Sequence, residues 1–426
     1  MRETQTVSRR TLLRLGAAAS AAAAFPAASI GQNAPRLVVI GGGFGGANCA
    51  RALRVMNPNC SVTLVADGET YMAFPLSNAV LAGLRPLTAQ EFGYDKIAGA
   101  GVAIAAGRVT AIDPQAKTVR LGDDHNVPYD RLVIAPGIDV KFDAIKGYNE
   151  AATEIMPHAW TNGAQVGLLA KQLKAMPEDG VVVISAPVAP LRCPLGPYER
   201  ASMIAFFLKA RKPKAKLIVL DSKDSFIMQK QFEAAWAELY PSLIEWIGLS
   251  QGGNLTEVDV ANKTLITDFE SYKADVANVI PPQRAAQITS TAGVADRTGW
   301  CPVDPITFES QLVPNIHVIG DAAIAGAMPK AASAASAEGK ICAAAITELL
   351  QGKTPQAREL GSSCYSLIAP DFALAIGDKY RPTGGQFMEV EGNATSTPAD
   401  ARAEQHAQEA KAADAWFAAT TRETFG

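Results

Sequence analysis

The chain has no Cys-x-x-Cys pair. It therefore offers neither the attachment motif of a c-type haem nor a thioredoxin-like redox motif. Its four histidines (His125, His158, His317 and His406) are scattered without ligand spacing, so no protein-bound metal is expected. Charged residues make up only 19% of the 426 residues, and no basic cluster stands out among them. A formal net charge of −3 without a basic patch makes the chain a poor nucleic-acid binder. No internal repeat of solenoid period is visible.

What is present describes a globular protein. Hydrophobic residues make up 48%, and the length allows two or three domains with real cores. Residues 1–29 are set aside as a leader. Ser8-Arg9-Arg10-Thr11-Leu12-Leu13 is a twin-arginine pattern, followed by an alanine-rich apolar stretch and small residues at Ala27-Ala28-Ser29. That stretch is too poor in Leu, Ile and Phe for a permanent span, so no integral membrane segment is expected once it is removed. The twin-arginine route carries folded proteins, commonly with a cofactor already loaded. The expected location is the periplasm. Removing Arg2, Arg9, Arg10, Arg14 and Glu3 takes the net charge from −3 to about −6.

Leu37–Ile40 is a short β-branched run leading straight into Gly41, Gly43, Phe44 and Gly46. Helical character follows to Met56 and stops at Asn57-Pro58, and Val62–Val65 reads as the next strand. Strand, glycine turn, helix and strand form the context in which G-x-G-x-x-G binds a dinucleotide, with the phosphates on the helix N-terminus. Asp67 either takes the ribose hydroxyls from the end of that strand or caps the turn with Gly68. Two later strands also end in small-residue turns: Arg131–Ile134 before Pro136-Gly137, and Ile316–Ile319 before Gly320-Asp321. The three segments, in this order and at this separation, point to FAD. Val181–Ile184 opens a second nucleotide-binding pattern, but prolines and Cys193 stand where its glycine loop belongs. An NAD(P)H-dependent enzyme is disfavoured for that reason.

The expected fold is α/β: two Rossmann-like three-layer domains of the FAD-dependent disulfide oxidoreductase type. Residues 33–150 and 285–355 form the FAD-binding domain, and 151–284 form a second Rossmann-like domain without an NAD fingerprint. Residues 356–426 follow as a C-terminal partner or dimer interface. The alanine- and glutamate-rich stretch near the end lacks a strong apolar face and reads poorly as a membrane-surface helix. Residues 222–231 and 392–398 read as exposed loops. Cys49, Cys342 and Cys364 read as buried structural thiols, and Cys60 as a turn residue.

Several stretches carry a family resemblance. They are Val38–Gly46, Leu76-Ser77-Asn78, Pro157-His158-Ala159-Trp160, Arg192-Cys193-Pro194 with Gly196-Pro197-Tyr198-Glu199-Arg200, Pro281–Ala285, Gly299-Trp300-Cys301-Pro302-Val303-Asp304, His317–Ala322, Met328-Pro329-Lys330 and Thr424-Phe425-Gly426. On these the chain resembles the flavoprotein subunit of flavocytochrome c sulfide dehydrogenase and, more widely, the sulfide:quinone oxidoreductases. The resemblance implies a redox-active Cys193–Cys301 disulfide beside the flavin, with Cys301 nearer the ring and Cys193 nearer the entering sulfide. A purely structural bridge is the alternative. It also implies Glu199 as a proton-handling acid, Asn78 among the cofactor-binding residues, and Lys330 as a positive charge toward the reduced flavin. The family's flavin-linking cysteine position is occupied by Phe74, so non-covalent FAD is expected. The implied activity is oxidation of sulfide to sulfur or polysulfide, with electrons passed to a c-type cytochrome subunit or a soluble cytochrome c. A sulfide:quinone oxidoreductase and a non-catalytic accessory flavoprotein are the rival readings.

Overall fold

The computed structural model describes residues 34–426 apart from Asp123 and Asn162. The expected leader lies outside the described residues. Runs of β-branched and aliphatic residues form parallel strands, the inner ones largely buried on both faces and the edge strand Ala103–Ala106 partly exposed. In chain order the first are β1 (Arg36–Ile40), β2 (Ser61–Ala66), β3 (Ala103–Ala106) and β4 (Arg131–Ile134). Helix α1 (Phe44–Met56) joins β1 to β2 and ends at Asn57, whose N–H bonds Leu53 O at 2.9 Å before Pro58 stops it.

A second parallel sheet holds β5 (Val181–Ala186), β6 (Lys216–Asp221), β7 (Ile244–Ile247) and β8 (Val276–Val279), in the order β7-β6-β5-β8. Helix α2 (Gly196–Arg211) connects β5 to β6 and is buried over nearly its whole length. The chain then returns to the first sheet with β9 (Ile316–Val318), completing the order β9-β4-β1-β2-β3 with every pair parallel. The first sheet thus takes its strands from both sides of the second in sequence. The fold is an α/β architecture with two Rossmann-like sheets.

Helix α3 (Ala332–Leu350) lies against α1 at very short range. A Cβ added at Gly339 would sit 2.4 Å from Gly45 O, so glycine is required there for the two backbones to meet. The C-terminal part is an antiparallel sheet of β10 (Leu360–Ala369), β11 (Phe372–Thr383) and β12 (Gln386–Glu389), followed by α4 (Ala403–Phe425). The buried side of α4 carries His406 and the small residues Ala410 and Ala413 before it reaches Phe417, and Thr421 and Thr424 before Phe425. That explains why its sequence shows no strong apolar face. Phe425 stacks on Phe92 at 5.0 Å and Tyr71 at 5.5 Å, and the Thr424 hydroxyl accepts a bond from Asn48 on α1 at 2.8 Å.

Two expected loops differ. Helix Gln229–Leu239 begins inside 222–231, and Thr397 is buried, with the Ala375 N–H bonded to its hydroxyl at 2.7 Å. Among the described residues no helix is long and apolar enough to cross a membrane.

Candidate functional site

The first glycine turn is built by exclusion. A Cβ at Gly41 would lie 2.1 Å from Ala135 O, and one at Gly46 would lie 1.9 Å from Gly41 O. Gly41 also has φ +104°, a conformation that L side chains rarely adopt. The turn delivers Gly43 to the N-terminus of α1, which carries no side-chain cap and no acid in its first turn. Its N–H groups are left for an anion.

From this turn a cleft of about 430 Å³ runs toward the C-terminal sheet. It gathers Gly41, Gly43, Phe44, Asp67, Pro136, Gly137, Cys193, Glu199, Gly320, Asp321 and Lys330. Asp67 lines it while exposed to solvent. The Asp321 carboxylate accepts a 2.6 Å bond from Arg192 Nε. Lys330 directs Nζ onto the carbonyls of Asp321 at 2.7 Å and Ala323 at 2.8 Å, and lies 4.0 Å from the Trp300 ring centroid. Its ammonium therefore clamps the loop after β9 while one side of the residue faces the cleft.

Gly46, Asn78 and Cys301 do not line the cleft. Gly46 packs behind the turn. Cys301 is fully buried beside Thr289, and burial pushes its thiol up to about 12. The second thiol on the cleft wall is Cys364, on β10. Cys193 and Cys364 are both partly buried. Burial raises Cys193 well above its ordinary value, and the nearby Cys364 and Glu199 push it the same way while Arg192 opposes them. Cys364 is pushed up to about 12 by burial and by Glu199.

Of the two cysteines expected to pair, the cleft wall therefore carries Cys193 but not Cys301, and its other thiol is Cys364. Cys193 reaches its position in a tight turn with φ +51°, a costly conformation for a residue other than glycine. Its N–H bonds Lys330 O at 2.8 Å, and its own carbonyl accepts from Gly196 N at 2.7 Å at the start of α2.

Glu199 sits in the first turn of α2 and is 5% exposed. Its carboxylate accepts from Asn78 Nδ2 at 2.9 Å and Leu367 N at 3.3 Å. Burial wins over these bonds and raises the carboxyl from 4.5 to about 7. Asn78, expected among the cofactor-binding residues, donates to this carboxyl from behind the cleft wall. Sequence reasoning also missed Trp160, Tyr365 and Trp416 as lining residues, because each is brought to the cleft by a separate element.

The second nucleotide pattern is closed by side chains. Asp221 ends β6, where a ribose-binding acid would stand, but it is fully buried. It accepts from Tyr198 OH at 2.6 Å, Trp246 Nε1 at 3.0 Å and Lys223 Nζ at 2.5 Å.

Known proteins place this architecture. The family model "Sulfide dehydrogenase [flavocytochrome c] flavoprotein chain, central" matches residues 166–281, and "Flavocytochrome c sulphide dehydrogenase, flavin-binding" matches residues 357–425. "Pyridine nucleotide-disulphide oxidoreductase" matches residues 35–184. The sulfide dehydrogenase [flavocytochrome c] flavoprotein chain of Chlorobaculum thiosulfatiphilum is 53% identical over 45 residues, 11% of this chain and 94% of that sequence. The chain belongs to this sulfide dehydrogenase flavoprotein family.

This member is also 25% identical to the mitochondrial sulfide:quinone oxidoreductase of Mus musculus over 303 residues. That match covers 68% of this chain and 66% of the mouse protein, just under two thirds of its length. The crystal structure of the sulfide:quinone oxidoreductase of Aquifex aeolicus superposes with TM-score 0.71 at 19% identity, covering 92% of each chain, and shows the shared fold. The family's FAD fits the residues of this member. Gly41 and Gly46 leave no room for a Cβ, and the uncapped start of α1 opens onto the cleft.

Proposed function

We propose that the protein is a sulfide-oxidising FAD enzyme whose redox pair is Cys193 with Cys364. The observation that carries this reading is one cleft lined by a dinucleotide turn and by two thiols with a buried carboxyl, that of Glu199. Gly41, Gly43 and the start of α1 would hold the pyrophosphate, with Asp67 and Asp321 on the sugar hydroxyls. Bound FAD supplies a two-electron acceptor that releases electrons one at a time. Phe74 lies in the cleft wall, 4.8 Å from the Trp160 ring, and offers no sulfur for a thioether, so the cofactor is held non-covalently.

In the oxidised enzyme a hydrosulfide ion attacks one sulfur of the Cys193–Cys364 bond. The S–S bond breaks, leaving a persulfide on one cysteine and a thiolate on the other. A second hydrosulfide takes the outer sulfur away as hydrogen disulfide ion and returns the first cysteine as a thiol. Reforming the protein S–S bond releases one proton and two electrons. The balance is two HS⁻ to HS₂⁻, one proton and two electrons. Glu199, near 7, takes that proton at neutral pH.

With no haem motif in the chain, the haem of a cytochrome acceptor would belong to another chain, consistent with a c-type cytochrome partner and export to the periplasm. A quinone is the second reading, supported by the mouse relative. Anaerobic addition of hydrosulfide to the purified protein is expected to bleach the flavin. An unchanged spectrum would exclude turnover and leave an accessory role.

A further inference from the structure

Glu199 is surrounded by a polar network deeper than the cleft needs. Arg200, the next residue on α2, is 0% exposed. Its guanidinium donates through Nε to Asn78 Oδ1 at 3.0 Å, through Nη1 to His158 O at 2.9 Å and Asn278 Oδ1 at 3.0 Å, and through Nη2 to Ala159 O at 2.7 Å. It also lies 4.7 Å over the Trp160 ring. With Oδ1 turned to the guanidinium, the Asn78 carboxamide can only present Nδ2 to Glu199.

We propose that Arg200 and Asn78 form a positioning pair that keeps Glu199 able to exchange a proton with the cleft thiols, the amide passing on the polarisation of a guanidinium held to the protein on its other sides. This rests on the dithiol reading above. A buried carboxylate without these donors would stay protonated at neutral pH and could not accept the released proton. Polarisation of the amide by a neighbouring cation strengthens its N–H donation and offsets part of the burial cost.

The other groups around Glu199 act against its charge or are neutral. Cys193, in the loop before α2, and Cys364, on β10, are both raised by Glu199 and remain protonated beside it. Tyr198, one residue earlier on α2, is turned to Asp221 on β6. Arg200 is the positive charge acting on Glu199, and Leu367 supplies the remaining donor.

Asn78→Asp tests the pair. It keeps the oxygen that Arg200 needs but removes the N–H to Glu199 and adds like charge. The pH midpoint of sulfide-driven flavin bleaching is expected to rise by about one unit or more, a roughly tenfold slower reaction below both midpoints. The same Asn78→Asp change in a Glu199→Gln background is expected to move no midpoint. A second readout uses no sulfide. The stability difference between each protein and its Glu199→Gln counterpart, followed against pH, reports the ionisation of Glu199 directly. Its midpoint is expected to rise alongside. If Asn78→Asp does not fold, Asn78→Ser, which cannot span both partners, is expected to act in the same direction. An equal loss at every pH, or a midpoint that still moves without Glu199, would overturn the proposal. A wild type that never bleaches would overturn the functional reading alone, because the stability titration would still report on the pair.

Discussion

Replacing Glu199 with glutamine is expected to stabilise the protein at alkaline pH while slowing sulfide oxidation. The carboxyl moves from its ordinary 4.5 in the unfolded chain to about 7 in the fold, chiefly through burial. The folded state therefore binds this proton more tightly than the unfolded state. The contribution is fully present below pH 4.5 and is lost as pH rises through 7. Above that range the ion exists in both states, and the fold carries a cost of about 3 kcal/mol, at about 1.4 kcal/mol per pH unit.

Glutamine removes that cost. It has one carbonyl oxygen for two donors, Asn78 Nδ2 and Leu367 N, and gives back about 1 kcal/mol at every pH. The variant should be about 1 kcal/mol less stable than wild type at about pH 4.5 and about 2 kcal/mol more stable at about pH 8.5. Burial also raises Glu338, to about 8, but this group is common to both proteins and cancels in the difference. Urea unfolding of the two proteins across this range measures it. A difference that stays constant with pH would show that Glu199 is not the buried, raised carboxyl described above.

Gly46→Ala should yield colourless protein, or none, because its Cβ would lie 1.9 Å from Gly41 O and only backbone movement could relieve it. Flavin absorbance per protein chain checks this, and wild-type content would contradict the tight turn. Acid or urea denaturation followed by filtration should release all the flavin, since Phe74 offers no sulfur; colour retained on the chain would contradict this. NADH should not bleach the flavin, because Asp221 is occupied by Tyr198, Trp246 and Lys223. Bleaching at a rate comparable with that by sulfide would show a nucleotide site in the second domain.

Much of the cofactor end was legible in the sequence because its constraints are local. Gly41 and Gly46 have to be glycine for the turn to close, and Leu37–Ile40 and Arg131–Ile134 announce buried parallel strands by composition. The prolines before Cys193 likewise showed that the second nucleotide pattern had lost its loop. The thiol end was less legible because it is assembled from afar. Cys364 stands on β10 near Leu360, Leu367 and Ile368, an apolar setting that reads as core, and only the packing of β10 against α2 turns it to the cleft. Cys301 lies in a motif that resembles the family's, yet it is directed to Thr289. Asn78 was placed near the site by its motif, but its partner depended on the orientation of its amide, which Arg200 on another element decides. The C-terminal segment was expected as an interface. It also lines the cleft, through Tyr365 and Trp416.

The central claim is that Cys193 and Cys364 exchange electrons with sulfide. Anaerobic hydrosulfide titration of Cys193→Ser, Cys364→Ser and Cys301→Ser, followed through the flavin spectrum, tests it most directly. The first two variants should fail to bleach at the wild-type rate, while Cys301→Ser should bleach within a few-fold of it. Normal bleaching by Cys364→Ser, together with loss in Cys301→Ser, would contradict the account and restore the Cys193–Cys301 pair.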